Sequence, residues 1–216
     1  MGEPANTVEA RGALLLALRQ AGVRDVDVLR AIETVPREIF VPHSLRDIAQ
    51  RDLPLPIACG QTMEPPGVLA QMLEALQVEP RHRVMEIGAG SGYSTAVLAR
   101  LANEVVAFER FRALSVEARA RLDRLGIVNA AVHYADGLAA PEQFGRFDRI
   151  IVHACLPAPD ARLAGALATG GIIVCMLPDE TGQGETCAVI HPDRNWIRTF
   201  RAGRLGRALT GTADAL

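Results

Sequence analysis

The spacing of apolar residues changes near residue 80 of this chain. Up to that point apolar residues recur every three or four positions, which is typical of amphipathic helices. The sequence therefore predicts helices over residues 7–21, 27–34 and 66–76. Beyond residue 80, short apolar runs alternate with helical segments. They predict strands at residues 83–87, 105–109, 131–135, 147–154 and 172–177, with helices at 94–101, 112–125 and 161–168.

This alternation predicts an α/β protein with a Rossmann-like, doubly wound and mostly parallel sheet. Residues 186–190 and 196–200 flank a turn-forming segment, so we expect them to complete the sheet as an antiparallel C-terminal strand pair. We expect Gly170 and Gly171 to end the helix before the last parallel strand. The segment 53–66 is so rich in proline that no regular structure is expected there.

Length and composition narrow the class of protein. With 216 residues, 49% of them apolar, the chain suits one domain over residues 1–216, with a helical N-terminal cap in residues 1–80 and the sheet in residues 81–216. A net charge of −2 gives no electrostatic basis for nucleic-acid binding, and no apolar run is long enough for a bilayer. The four cysteines are widely spaced and no signal segment precedes them. We therefore expect a reduced, cytoplasmic protein without a metal.

A glycine-rich junction follows the first strand of the sheet. Gly88, Gly90 and Gly92 lie between that strand and the next helix, where glycine permits a tight turn and lets a ligand approach the backbone. Glu109 ends the second strand about 20 residues later, where such folds bind ribose hydroxyls. Together they predict a site for a ribose-bearing cofactor. The spacing differs from the dinucleotide fingerprint, and no P-loop sequence is present. The alternative is a plain turn with a solvated Glu109.

The carboxyl ends of the strands predict where further site residues meet. In a doubly wound sheet, ligands bind at this edge, which would bring Asp136 and His153 close to the glycine loop. Asp136 is a candidate acceptor for an adenine amino group, although Asp-Gly is also a common turn pair. His153 is a candidate general base or cofactor contact, but a histidine in a crevice is as often only hydrogen-bonded.

Several motifs resemble the protein-L-isoaspartate O-methyltransferase family, and the likeness covers nearly the whole chain. Residues 35–42 read Val-Pro-Arg-Glu-Ile-Phe-Val-Pro, residues 55–57 read Leu-Pro-Ile, and residues 60–62 read Gly-Gln-Thr. The resemblance implies S-adenosylmethionine as cofactor and a segment before residue 80 that binds the substrate. The implied cofactor residues are Gly88, Gly90 and Gly92 for methionine, Glu109 for ribose, and Asp136 and Gly137 for adenine, and Glu86 and Ala89 are further candidates in the same loop. The candidate catalytic residues are Thr62 and Glu64, by their place in the family pattern, and His153, by its place in the crevice. The implied substrate residues are Ile57, Arg207 and Leu209.

Two departures from the family pattern lie where the substrate would bind. Glu64 occupies the position of a family serine that is usually assigned to the active site, and His153 stands where the family has a small residue. A carboxylate about 4 Å from an anionic acceptor would oppose its binding by roughly 4 kcal/mol at an effective dielectric constant of about 20. Glu64 must then be protonated, face away, or pair with an arginine. We expect Arg207 to be that partner.

The resemblance implies an S-adenosylmethionine-dependent O-methyltransferase that acts on a carboxylate of L-isoaspartyl residues in damaged proteins. A carboxylate is already ionised at neutral pH, so in-line methyl transfer depends on positioning rather than on a strong base. The expected partner is a peptide or protein carboxylate. Two alternatives stay open: a methyltransferase for a different peptide or small molecule, and a non-catalytic homologue that only binds the cofactor.

Overall fold

A computed structural model describes residues 5–139, 141–181, 185–194 and 196–200 of the chain. The α-helices are α1 Ala5–Gln20, α2 Val26–Thr34, α3 Pro66–Leu76, α4 Tyr93–Leu98, α5 Arg112–Arg124 and α6 Ala161–Gly165. The strands are β1 Leu55–Pro56, β2 Thr62–Met63, β3 Arg83–Ile87, β4 Glu104–Glu109, β5 Ala130–Tyr134, β6 Phe147–Cys155, β7 Leu167–Pro178, β8 Glu185–His191 and β9 Trp196–Phe200. Among these residues no helix has both the length and the apolar surface needed to span a membrane.

The described residues form a seven-stranded sheet in the order β5-β4-β3-β6-β7-β8-β9. The first five of these strands are parallel, and β8 is antiparallel to both of its neighbours. The chain builds β4 and β5 on one side of β3 and then returns to place β6 on the other side. The predicted doubly wound sheet with an antiparallel C-terminal pair is therefore confirmed, and its switch point lies between β3 and β6.

The N-terminal helices pack over one face of the sheet and share its core. Asp25 caps α2, because its side chain accepts hydrogen bonds from the N–H groups of Asp27 and Val28. Glu74 of α3 accepts hydrogen bonds from the N–H groups of Arg24 and Asp25, both at 2.7 Å, and this ties the start of α2 to α3. These helices support the segment between residues 53 and 66, which lies beside the glycine loop.

Two local predictions were wrong. Helix α6 ends at Gly165, and β7 begins at Leu167, so Gly170 and Gly171 lie inside a strand instead of ending a helix. A Cβ on Gly171 would lie 2.8 Å from the Cδ2 of Leu167, so this strand packs too closely there for a side chain. The proline-rich segment also contains a short antiparallel pair, β1 with β2. It tolerates proline because the ladder is only two residues long on each side.

Candidate functional site

The glycine loop after β3 has three residues with positive φ. Gly88, Gly90 and Gly92 have φ values of 90°, 55° and 88°, which side chains rarely allow. A Cβ on Gly92 would also lie 3.0 Å from the Cβ of Ala118 in α5. Gly92 therefore permits close packing of the loop against α5, which is a structural reason for this glycine that the spacing alone does not reveal.

The N–H groups at the start of this loop are already bonded within the protein. The N–H groups of Gly88 and Ala89 donate to the carbonyl of Phe108 at 2.8 and 3.1 Å, and the N–H of Gly90 donates to Glu109 Oε2 at 2.8 Å. A phosphate-binding loop instead directs its N–H groups at the ligand. This loop therefore lets a ligand come close to its backbone, but these three N–H groups are not directed at the ligand.

A cleft lies at the carboxyl ends of β3 to β6, and it contains about 890 Å³ of space including its opening to solvent. Six predicted site residues line it: Thr62, Gly88, Glu109, Asp136, Gly137 and His153. Six other predicted residues are not among the described residues that line it: Ile57, Glu64, Glu86, Ala89, Gly90 and Gly92. Arg207 and Leu209 are outside the residues that the structure describes.

Glu109 connects the end of β4 to the glycine loop. Glu109 is only 4% exposed. Its two carboxylate oxygens accept hydrogen bonds from the N–H groups of Gly90 and Phe111 at 2.8 and 2.7 Å. Burial raises the pKa of Glu109, although these backbone hydrogen bonds act in the opposite direction. Each oxygen has a further lone pair for a donor in the cleft, such as a sugar hydroxyl. The interpretation of Glu109 as a solvated strand end is wrong.

Asp136 and Gly137 form a turn that is part of the cleft wall. Asp136 Oδ1 accepts a hydrogen bond from the N–H of Leu138 at 3.0 Å, which is the turn geometry expected for an Asp-Gly pair. A Cβ on Gly137 would lie 2.9 Å from side-chain atoms of both Ile87 and Phe108. The turn and the ligand-binding interpretations are therefore compatible, because the turn holds Asp136 at the cleft.

His153 of β6 lies between two carboxylates. Its Nδ1 is 2.6 Å from Glu64 Oε1, and its Nε2 is 3.0 Å from Glu86 Oε1 and 2.8 Å from the hydroxyl of Ser94. The contact with Glu64 is a close ion pair whose direction is poor for a hydrogen bond. Glu86 also accepts a hydrogen bond from Thr95. The side chain of His153 is 4% exposed and that of Glu64 is 11% exposed.

The two carboxylates keep His153 protonated. Burial alone would lower the pKa of His153, but the charge of Glu64, together with the charge and the hydrogen bond of Glu86, raises it to about 10. Burial would raise the pKa of Glu64, yet the imidazolium holds it below its usual value. A histidinium has no lone pair to accept a proton, which argues against the general-base role considered for His153. Glu64 is therefore charged, and its partner is the imidazolium of His153. The arginine expected as its partner, Arg207, lies outside the described residues.

Arg37 is a site residue that sequence analysis did not select on chemical grounds. Arg37 is completely buried. Its guanidinium donates hydrogen bonds to the backbone carbonyl groups of Glu64 at 3.0 Å, Arg51 at 3.3 Å, and Ala49. These bonds join the segment 37–51 to the segment that carries Glu64. The only signal was its place inside the Pro-Arg-x-x-Phe-Val-Pro motif.

Comparison with known proteins agrees with this architecture. The family model described as "Protein-L-isoaspartate(D-aspartate) O-methyltransferase" matches residues 9–192. The chain is 46% identical over 202 residues to a protein-L-isoaspartate O-methyltransferase of Rhodopseudomonas palustris, with 93% of each chain covered. It is also 46% identical over 181 residues to one of Xanthobacter autotrophicus, with 83% of each covered.

A solved structure shares the fold. It is that of a Plasmodium falciparum protein assigned as a protein-L-isoaspartate O-methyltransferase, in complex with S-adenosyl-L-homocysteine. The two structures superpose with a TM-score of 0.77 at 22% identity, covering 90% of this chain and 96% of the other. The family model covers most of the chain, and the identity to the bacterial relatives extends over nearly its full length. The chain therefore belongs to the protein-L-isoaspartate O-methyltransferase family.

Proposed function

We propose that this protein transfers a methyl group from S-adenosylmethionine to the carboxylate of L-isoaspartyl residues in damaged proteins. The observation that carries the proposal is the position of Thr62. It lines the same cleft as Glu109 and Asp136. In a chain of this family, the segment 53–66, which we propose binds the substrate, therefore contributes to the candidate cofactor cleft.

The residues of the cleft fit the cofactor. A buried Glu109 with remaining lone pairs suits ribose hydroxyls, and Asp136 suits an amino group. Gly88 forms part of the wall, and its φ of 90° disfavours a side chain there. When bound, S-adenosylmethionine supplies a methyl group on a positively charged sulfur. The chain contributes the shape of the cleft and the acceptors that orient the cofactor.

The acceptor needs a binding site more than it needs a base. The pKa of an exposed carboxyl lies near 4, so no proton has to be removed at neutral pH. His153 is already protonated, and its two ring nitrogens face Glu64 and Glu86. Catalysis then depends on holding the acceptor oxygen in line with the methyl group and on excluding water. The loop 53–66, fixed by Arg37, is placed to do this.

Methyl transfer to matched peptides tests the proposal. The native protein and labelled S-adenosylmethionine are incubated with an isoaspartyl peptide and with its normal aspartyl twin. We expect label in the isoaspartyl peptide alone. Label in some other acceptor would show that the substrate differs, and cofactor binding without transfer to any acceptor would show a non-catalytic homologue.

A further inference from the structure

Glu64, His153 and Glu86 form a charge cluster that joins the substrate segment to the sheet. Glu64 follows β2 in the loop, His153 lies on β6, and Glu86 lies on β3. The two contacts of the histidine with carboxylates are short, 2.6 Å to Glu64 and 3.0 Å to Glu86. The Glu86 side chain is fully buried, and the other two are nearly so. Little solvent is therefore present to screen these charges.

The charges in this region depend on His153. Two carboxylates and one imidazolium leave a net charge of −1, and without the histidine the charge would be −2. The other groups facing Glu64 are Arg37, whose guanidinium bonds its backbone carbonyl, and Tyr93 of α4. Burial raises the pKa of Tyr93, so it is neutral. Arg37 is occupied by three carbonyl groups and lies on the main-chain side of Glu64.

We propose that Glu64 and His153 act as one unit, in which His153 neutralises Glu64 so that the substrate segment stays closed and the anionic methyl acceptor is not repelled. This inference rests on the proposed function, because it assigns a role at the same acceptor site. Glu64 alone would oppose an acceptor carboxylate, while the Glu64 and His153 pair presents no net charge to it. His153 is thus a positioning residue that acts through Glu64.

The unit predicts a specific failure and a specific rescue. In His153→Ala, Glu64 is buried without its imidazolium partner, so its pKa rises above that in the native protein. Below that pKa Glu64 is neutral and the acceptor binds. Above it Glu64 is charged, and we expect KM for the isoaspartyl peptide to be on the order of tenfold higher or more at pH 8.5 than at pH 6. The kcat should change less than KM.

The double variant separates this role from a purely structural one. Glu64→Gln combined with His153→Ala carries neither charge, so its KM should return to within about threefold of the native value and be independent of pH. His153→Gln is a gentler alternative to His153→Ala, since it keeps a hydrogen-bonding group without the charge. Glu104→Gln is the matched control, because it breaks a 2.7 Å ion pair with Arg83 at the amino-terminal ends of β3 and β4, away from the cleft. It should leave KM unchanged.

Urea unfolding of the native protein, Glu64→Gln, His153→Ala and the double variant tests the pairing without any peptide. We expect the stability loss in the double variant to be smaller than the sum of the two single losses. Additive losses, or a double variant whose KM is no better than that of His153→Ala, would overturn the proposal. If the native protein does not methylate the isoaspartyl peptide, the proposed function fails, and the unfolding data alone then decide whether Glu64 and His153 form a unit.

Discussion

Glu109 accepts a hydrogen bond from the backbone N–H of Gly90 at 2.8 Å, across the gap between the ends of β4 and β3. The contact fixes the glycine loop against the carboxylate that we propose binds ribose. It joins the two sequence signals of the cofactor site, the glycine spacing and the acidic strand end, in a single interaction. A change at Glu109 should therefore affect both the loop and the ligand.

The first prediction concerns Glu109→Gln. The amide keeps the size of the side chain but loses the negative charge, and hydrogen bonds to charged groups contribute about 1.5–3 kcal/mol each. We expect the Kd for S-adenosylhomocysteine, measured by calorimetry, to rise roughly tenfold to a hundredfold. Glu117→Gln on the exposed face of α5 is the control and should leave the Kd unchanged. An unaltered Kd for Glu109→Gln would remove Glu109 from the cofactor site.

The second prediction concerns Gly92→Ala. Its φ of 88° and the approach of Ala118 to 3.0 Å make a side chain unfavourable for two independent reasons. We expect a loss of about 1–3 kcal/mol in the free energy of unfolding, measured with urea. Gly12→Ala is a control of opposite sign, because this glycine lies inside α1 with open space around it. It should stabilise the protein by about 0.5–1 kcal/mol.

The third prediction concerns Arg37→Lys. The guanidinium reaches three carbonyl groups, whereas an ammonium is a compact group without the planar fork. We expect this substitution to lower the free energy of unfolding by about 3 kcal/mol, since buried carbonyl groups lose charged donors. Arg30→Lys, on the exposed surface of α2, should have no measurable effect. Equal stability of the two variants would mean that Arg37 does not hold the loop.

The fourth prediction concerns the pH dependence of stability. The pKa of His153 is raised to about 10 in the folded protein from about 6.5 when unfolded, so its contribution is complete below pH 6.5 and is lost as the pH rises towards 10. The pKa of Glu64 is lowered, so its contribution is present above pH 4.5 and is lost as the pH falls further. The stability difference between the native protein and His153→Gln, measured by urea unfolding, should therefore shrink between pH 6.5 and pH 10. A constant difference would contradict the charged pair.

The sequence predicted most of the fold because its signals are local. Alternating apolar runs and helical segments identified the strands, and strand ends followed by acidic residues placed Glu109 and Asp136 at one edge. The contact between Glu64 and His153 was missed because nothing in the chain between them indicates that β6 and the loop after β2 approach each other. Gly170 and Gly171 misled for a related reason: glycine ends many helices, and only the pairing of β7 with β6 shows that these two glycines belong to a strand.

The most direct test of the account follows the isoaspartyl linkage itself. An isoaspartyl peptide is incubated with the native protein and S-adenosylmethionine, and the linkage is followed by chromatography against the aspartyl twin. We predict a base-labile methyl ester on the isoaspartyl peptide. The following backbone nitrogen then displaces methanol to give a succinimide, and its hydrolysis progressively yields the aspartyl form, with no ester formed by Glu109→Gln at low cofactor concentration. An isoaspartyl peptide that stays unmodified in the presence of bound cofactor would contradict it.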